Sequence, residues 1–229
     1  RRRKFFSAEN RKRWSFEAII VDNGSHDSTL EKLAAVRRKD ERFKIVQLSR
    51  NFTCDGGIAA GLHHAVGDAA IIMMADLQDP PEMISKFIAK WAAGYDIVYG
   101  IVQKREGTSK MRDFNSRLFY KIINRLTQGI FPENVSDFRI IDKKVYQSIN
   151  SMPEHNKFLR GMIMWTGFKH TGIPFNRPPR FAGESKASFL AVLAVALNGI
   201  FAFSYLPLKL VTVSGVILSF TRCSIFENC

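Results

Sequence analysis

Cysteine is scarce in this chain and poorly placed for cross-linking. The three residues, Cys54, Cys223 and Cys229, form no CxxC pair and leave one without a partner. That argues against a disulfide framework or a structural zinc site and suits a reducing compartment. There is no P-loop and no GxGxxG fingerprint: "GGIAAG" at 56–61 has neither the order of glycines nor the lysine. Aromatic residues are scattered rather than interleaved with basic ones, so an RNA-recognition sheet is not indicated and nucleic acid is not an expected partner. His63 and His64 lack a third ligand at metal spacing and read as packing or surface. The basic block at the start runs into "WSFEAIIVDNGS" without an apolar core or cleavage site, so it does not read as a secretory signal.

Positive charge, by contrast, is abundant and uneven. The 229 residues include 34 Lys or Arg and 21 Asp or Glu, a net charge of +13. Residues 1–13, "RRRKFFSAENRKR", hold seven of the cations against one Glu. Such a run is either a solvated tail or a contact for an anionic surface. A hydrophobic content of 46% is enough for one sizeable core.

Long apolar stretches are confined to the C-terminal part. From Ala187 to Leu208 no residue is charged, and after Lys209 "LVTVSGVILSF" continues almost wholly apolar to Phe220. Roughly 20 apolar residues cross a bilayer core. Asn198, Gly199, Ser204 and Pro207 interrupt the first stretch, so a helix lying at the interface is as good a reading as a span. The second resembles a transmembrane helix cut short, and a buried core helix is the third reading of either. The closing "TRCSIFENC" has no amphipathic pattern.

Between the ends the pattern alternates. Buried-strand runs are predicted at 16–22, 43–49, 68–74 and 95–102, separated by helices over "TLEKLAAVRRK", capped by Ser28, "DGGIAAGLHHAVG" and "PEMISKFIAKWAA". Strand–helix alternation at this spacing predicts an α/β fold whose mostly parallel sheet is covered on both faces. Ligands bind such sheets outside the carboxyl ends of the strands. Two polar clusters fall there: Asp22-Asn23-Gly24-Ser25, and Asp76-Leu77-Gln78-Asp79, the latter followed by Pro80-Pro81.

Asp76 and Gln78 are two apart, so on extended chain both side chains face one way. A carboxylate and an amide oxygen can then hold a hard divalent cation, which takes the rest of its shell from water and phosphate. Taken alone, the segment serves equally well as a turn in which Asp79 caps the next helix. Residues 104–144 carry ten Lys/Arg against five Asp/Glu, and Arg112, Arg117, Lys121 and Arg125 recur beside apolar residues on "MRDFNSRLFYKIINR". That is either an amphipathic basic helix resting on anionic membrane or a solvated helix face. Asp137, beside Phe138 and Arg139, is placed to orient an arginine, to act as a base, or to form a structural ion pair.

Six segments in order, "IIVDNGSHDST", "LSRNFTCDGGIAAGLHHAVGD", "MADLQDPPE", "SRLFYKIINRLT", "SDFRIIDKKV" and "RFAGESKASF", followed by apolar helices, resemble the polyprenyl-phosphate sugar transferases. These are inverting GT-A glycosyltransferases that include bactoprenol glucosyltransferases and dolichyl-phosphate mannose synthases. The resemblance implies a GT-A-type, mostly parallel sheet with flanking helices, followed by C-terminal interfacial and truncated transmembrane helices. It divides the chain into a basic tail (1–15), the transferase domain (16–186), membrane-associated helices (187–222) and an atypical tail (223–229). Asp76 and Gln78 would hold Mg²⁺ or Mn²⁺ and the donor diphosphate, and Asp22, Asn23, Ser25 and Asp76 the nucleotide. Arg112, Arg117, Arg139, Ser185 and Lys186 would meet the acceptor phosphate, with Asp76, Gln78 and Asp137 as the reacting site. Expected partners are a UDP- or GDP-sugar, a polyprenyl phosphate, membrane lipid and a second copy of the chain. The expected location is the cell membrane, with the catalytic domain on the cytoplasmic side.

Three departures stand out. Met74 occupies a position where the family usually has an acidic residue, Asn23 replaces the second aspartate of "VDDGS", and no "VVIPVYNE"-type strand precedes Trp14. On that reading the chain lacks a central strand and, as it stands, is expected to turn over poorly.

Overall fold

The computed structural model describes residues 14–105, 134–154, 157–178, 197 and 199–226. The order is β1 (Ala18–Asp22), α1 (Thr29–Lys39), β2 (Phe43–Gln47), α2 (Thr53–His63), β3 (Ala69–Ile72), α3 (Met83–Ala92) and β4 (Ile97–Arg105). Then come β5 (Val135–Asp142), α4 (Lys143–Asn150), α5 (Leu159–Trp165), β6 (His170–Arg177) and α6 (Leu206–Phe226). All four predicted strands and the three helices between them are present, with boundaries moved by a few residues.

The expectation of a mostly parallel sheet needs correction. β1 pairs with β2 in parallel; a separate hydrogen-bonded ladder has the order β3-β5-β4-β6. Within it β5 runs antiparallel to both β3 and β4, while β4 and β6 are parallel. The sheet is therefore mixed, because "VSDFRIID" forms a strand inserted between β3 and β4, whereas strand–helix alternation was followed only as far as residue 102. β6 was not read as a strand either: its "HTGIPFNR" has a proline and four polar residues, tolerable because it is the outer strand of its ladder.

Both faces of the four-stranded ladder are buried. Ile97 and Tyr99 of β4 point with Ile141 of β5 toward Val145 and Ile149 of α4 and Leu159, Met162 and Ile163 of α5. Val98 and Val102 point the other way with Phe138 and Ile140, onto Met83, Ile84 and Phe87 of α3. This period-2 division is what an internal strand covered on both sides requires. Phe87 and Phe138, both fully buried, meet with ring centroids 4.7 Å apart.

Caps differ in detail from the expectation. Ser28 makes no side-chain cap bond on α1; the Asp27 carboxylate accepts from Thr29 N instead. α4 has the more regular cap, Asp142 accepting from Lys144 N. His63 and His64 are exposed on the last turn of α2 and just beyond it.

No helix among the described residues is long and apolar enough to cross a membrane, which leaves the expectation of a truncated transmembrane helix without support. Residues from Leu206 onward form one helix, α6, in which Lys209, Thr212, Ser214, Ser219 and Arg222 interrupt the apolar side chains. Thr212, Ser214 and Ser219 hydroxyls turn back onto carbonyls four residues earlier. Leu208, Val211 and Leu218 of α6 are nonetheless about two-thirds exposed.

Candidate active site

The strand directions gather the polar residues at one edge. β3, β4 and β6 end there, and β5, running against its neighbours, begins there. The register places Ile72 of β3 and Tyr99 of β4 opposite Arg139. Asp137 and Arg139 thus reach the ligand edge from a strand's start, an outcome that antiparallel insertion alone explains.

At the exit of β1, Asp22 is buried; its Oδ1 accepts from Ser25 N at 3.2 Å. Its Oδ2 is buried without a hydrogen-bond partner among the described residues, an acceptor suited to an N–H or O–H of a ligand. Gly24 makes the turn, with φ +77° and Arg50 carbonyl carbon only 2.7 Å from where a Cβ would sit. Asn23, expected at the nucleotide, is committed elsewhere. Its Oδ1 accepts from Phe52 N at 2.9 Å and its Nδ2 donates to Thr53 O at 2.7 Å, bracing the start of α2. Ser25 is exposed at the rim.

After β3 the chain does not stay extended, as the cation argument had assumed. Leu77 has φ +61°, a conformation strained for a non-glycine residue, and Asp76 Oδ1 accepts from Gln78 N at 3.2 Å. Gln78 Nε2 donates to Pro178 O at 3.3 Å, which aims its amide oxygen away from β6. Asp79 does not cap α3. It is fully buried, and Oδ2 accepts from Met74 N at 2.9 Å, closing the loop on itself. Burial pushes the Asp79 carboxyl up, against the Met74 N–H and the Arg177 guanidinium. No group of three His, Cys, Asp or Glu gathers among the described residues. One carboxylate and one oriented amide oxygen still fit a magnesium-like ion, which needs few protein ligands.

The third component is a set of arginines around Asp137. Arg160, on α5, forks its carboxylate with Nε to Oδ1 at 3.0 Å and Nη2 to Oδ2 at 2.6 Å. Arg139 Nη2 lies 3.5 Å from Oδ1 and donates to Ser136 O at 2.9 Å. Burial works to raise the Asp137 carboxyl, but Arg160, then Arg139 and Arg177, hold it below the usual carboxylate range. Arg139 is 1% exposed, so it backs Asp137 from inside; the guanidinium facing outward is that of Arg160. Arg112, Arg117, Ser185 and Lys186 lie outside the described residues.

Sequence reasoning missed Arg160, Arg177 and Asp55 as members of this edge. Asp55, on the first turn of α2, accepts from Leu159 N, and its carboxyl is pushed up to about 6 by burial and by Asp137. Only the acidic residue beside a small-residue helix could have signalled it. Arg160 and Arg177 had no local signal, since sheet pairing and α5 bring them in from more than 20 residues away.

Comparison with known proteins places the chain in a family. Residues 3–149 match the profile described as Glycosyl transferase family 2. An uncharacterised glycosyltransferase of Synechocystis sp. is 42% identical over 205 residues, covering 90% of this chain and 64% of that protein, so this chain spans less than two thirds of that relative. A prophage bactoprenol glucosyl transferase homologue of Escherichia coli is 34% identical over 211 residues, 92% of this chain and 69% of its own length. Glucosyl-3-phosphoglycerate synthase of Mycobacterium tuberculosis, solved with Mn²⁺, UDP-glucose and phosphoglyceric acid, has a TM-score of 0.50 at 12% identity over 78% of this chain and 64% of its own, a likeness of fold alone. The fold is GT-A-like, α/β with a mixed sheet. The chain belongs to glycosyl transferase family 2.

Proposed function

We propose that this protein transfers a sugar from a nucleotide sugar, UDP- or GDP-linked, to a polyprenyl phosphate in one inverting step. The observation that carries the reading is the bidentate hold of Arg160 on Asp137. A hydroxyl acceptor needs a base to take its proton, and a carboxylate locked in a fork and held below its usual pKa is a poor one. A phosphate oxygen is already anionic near neutral pH and needs cations instead; Arg160 and Arg177 face the same edge. The bactoprenol-related name of the Escherichia coli relative points the same way.

In this reading Asp22 and the Gly24 turn seat the nucleoside, and the bent 74–79 loop carries Asp76 and Gln78 to the diphosphate. Mg²⁺ or Mn²⁺ bound there would neutralise charge on the leaving nucleoside diphosphate. Arg160, anchored by Asp137, orients the acceptor phosphate for in-line attack, while the buried Arg139 keeps Asp137 ionised. The exposed apolar side chains of α6, with the basic 1–13 run, would rest on an anionic membrane surface, with the site on the cytoplasmic side.

The experiment is transfer of radiolabelled sugar into extracted lipid from several nucleotide sugars, with Mn²⁺ or with chelator. Metal-dependent label in the organic phase supports the reading. Label that reaches only water-soluble or hydroxyl-bearing acceptors removes it.

A further inference from the structure

On the phosphate-transfer reading above, we propose that Arg177 is a further phosphate-binding residue, presenting its guanidinium to a phosphoryl group between the 74–79 loop and the exit of β6. In the ladder order β3-β5-β4-β6, β3 and β6 are its two outer strands. At about 4.8 Å per strand, their ends are separated by roughly 14 Å. Yet the loop leaving β3 reaches the end of β6 at two points: Gln78 Nε2 donates to Pro178 O at 3.3 Å, and Arg177 Nη2 lies 3.6 Å from Asp79 Oδ1. The loop is thus a strap across the starts and ends of the intervening strands, and Arg177 closes its far end.

The pairing at that end is loose in a specific way. At 3.6 Å the Arg177–Asp79 contact is an ion pair without a hydrogen bond. Arg177 Nε is buried with no hydrogen-bond partner among the described residues, and Asp79 Oδ1 likewise. A guanidinium held by charge with donors uncommitted can give two parallel N–H bonds to an oxyanion, which a fully bonded structural arginine cannot. Arg177 also lies within electrostatic reach of Asp137, so its charge joins those of Arg139 and Arg160 at one edge. Asp76, Asp79 and Asp137 are the opposing carboxylates, and a phosphoryl group there meets cations from β5, α5 and β6 together.

The phosphoryl group belongs either to the donor diphosphate or to the acceptor monophosphate, and calorimetry on the whole chain separates them. One arm titrates UDP and GDP in Mn²⁺; the other titrates a soluble short-chain prenyl monophosphate. Arg177→Gln is expected to weaken one of the two by about tenfold or more, the scale of a charged hydrogen bond. Arg177→Lys, which keeps the charge and the ion pair but loses the fork, is expected to fall between. Loss in the first arm assigns the donor and loss in the second the acceptor. Arg177→Gln that stays folded and binds every ligand as the parent does overturns the proposal. So does equal loss of melting temperature in Arg177→Lys and Asp79→Asn without any change in binding, which marks a purely structural pair. A parent chain that binds neither class of phosphate overturns the functional reading itself, and the Arg177 assignment with it.

Discussion

Asp137 is a carboxylate that its neighbours hold as an anion. Two charged hydrogen bonds from Arg160 and the field of a buried Arg139 keep it ionised. Replacing it with Asn removes the charge that both arginines face, and charged hydrogen bonds are each worth about 1.5–3 kcal/mol. Asp137→Asn is therefore expected to lower thermal stability and to cut use of the lipid phosphate at least tenfold with nucleotide binding kept, measured by melting and by acceptor titration. Asp76→Asn is expected to do the reverse, weakening metal-dependent nucleotide binding with little change in melting. Asp55 supplies a pH signature. Its folded pKa, about 6, lies above that of an ordinary aspartate, so the folded state binds more protons than the unfolded one across roughly pH 4 to 6. Stability from this group is present below that window and lost as pH rises through it. Asp55→Asn, which still accepts from Leu159 N, should gain melting temperature relative to the parent at pH 7.5 and not at pH 4.

At the scale of elements, the decisive features are one bent loop and one inserted strand. Leu77 at φ +61° costs about 1–2 kcal/mol in left-handed backbone, and a glycine there would relieve it while losing about 0.5–1 kcal/mol to chain entropy. Leu77→Gly should thus leave stability unchanged or raise it by up to about 1.5 kcal/mol, and keep metal-dependent nucleotide binding close to that of the parent, because glycine adopts the same bend without strain. Denaturant unfolding alongside nucleotide titration checks both halves. The strand–helix units up to residue 102 were legible because their apolar runs are long and their turns carry Asp, Asn, Gly and Pro. β5 was not: in "VSDFRIID" Ser136, Asp137 and Arg139 interrupt the apolar run, and motif reading drew its Asp and Arg into a candidate site without seeing the strand. Asp22 and the 76–79 loop were legible as the polar ends of predicted strands. The bond from the Asn23 amide to a loop 28 residues further on was not legible, because in sequence such an amide looks like one waiting for a ligand.

For the whole molecule, the candidate site is assembled from every strand of the longer ladder and from α5, while helices bury both faces of that ladder. α6 exposes leucines and valines, and on the proposed reading it rests on a lipid surface through charge and apolar area, since no helix among the described residues is long and apolar enough to span one. Flotation with vesicles containing anionic lipid should carry the protein upward and lose it at high salt, as electrostatic adsorption requires. The central claim is that the acceptor is a phosphate. Its most direct measurement is transfer of labelled sugar by membranes of cells producing the protein, offered a polyprenyl monophosphate or the matching polyprenol. The account predicts label on the phosphate only, in a product that mild acid releases. Equal or preferential transfer to the alcohol, with the phosphate inert, would contradict it.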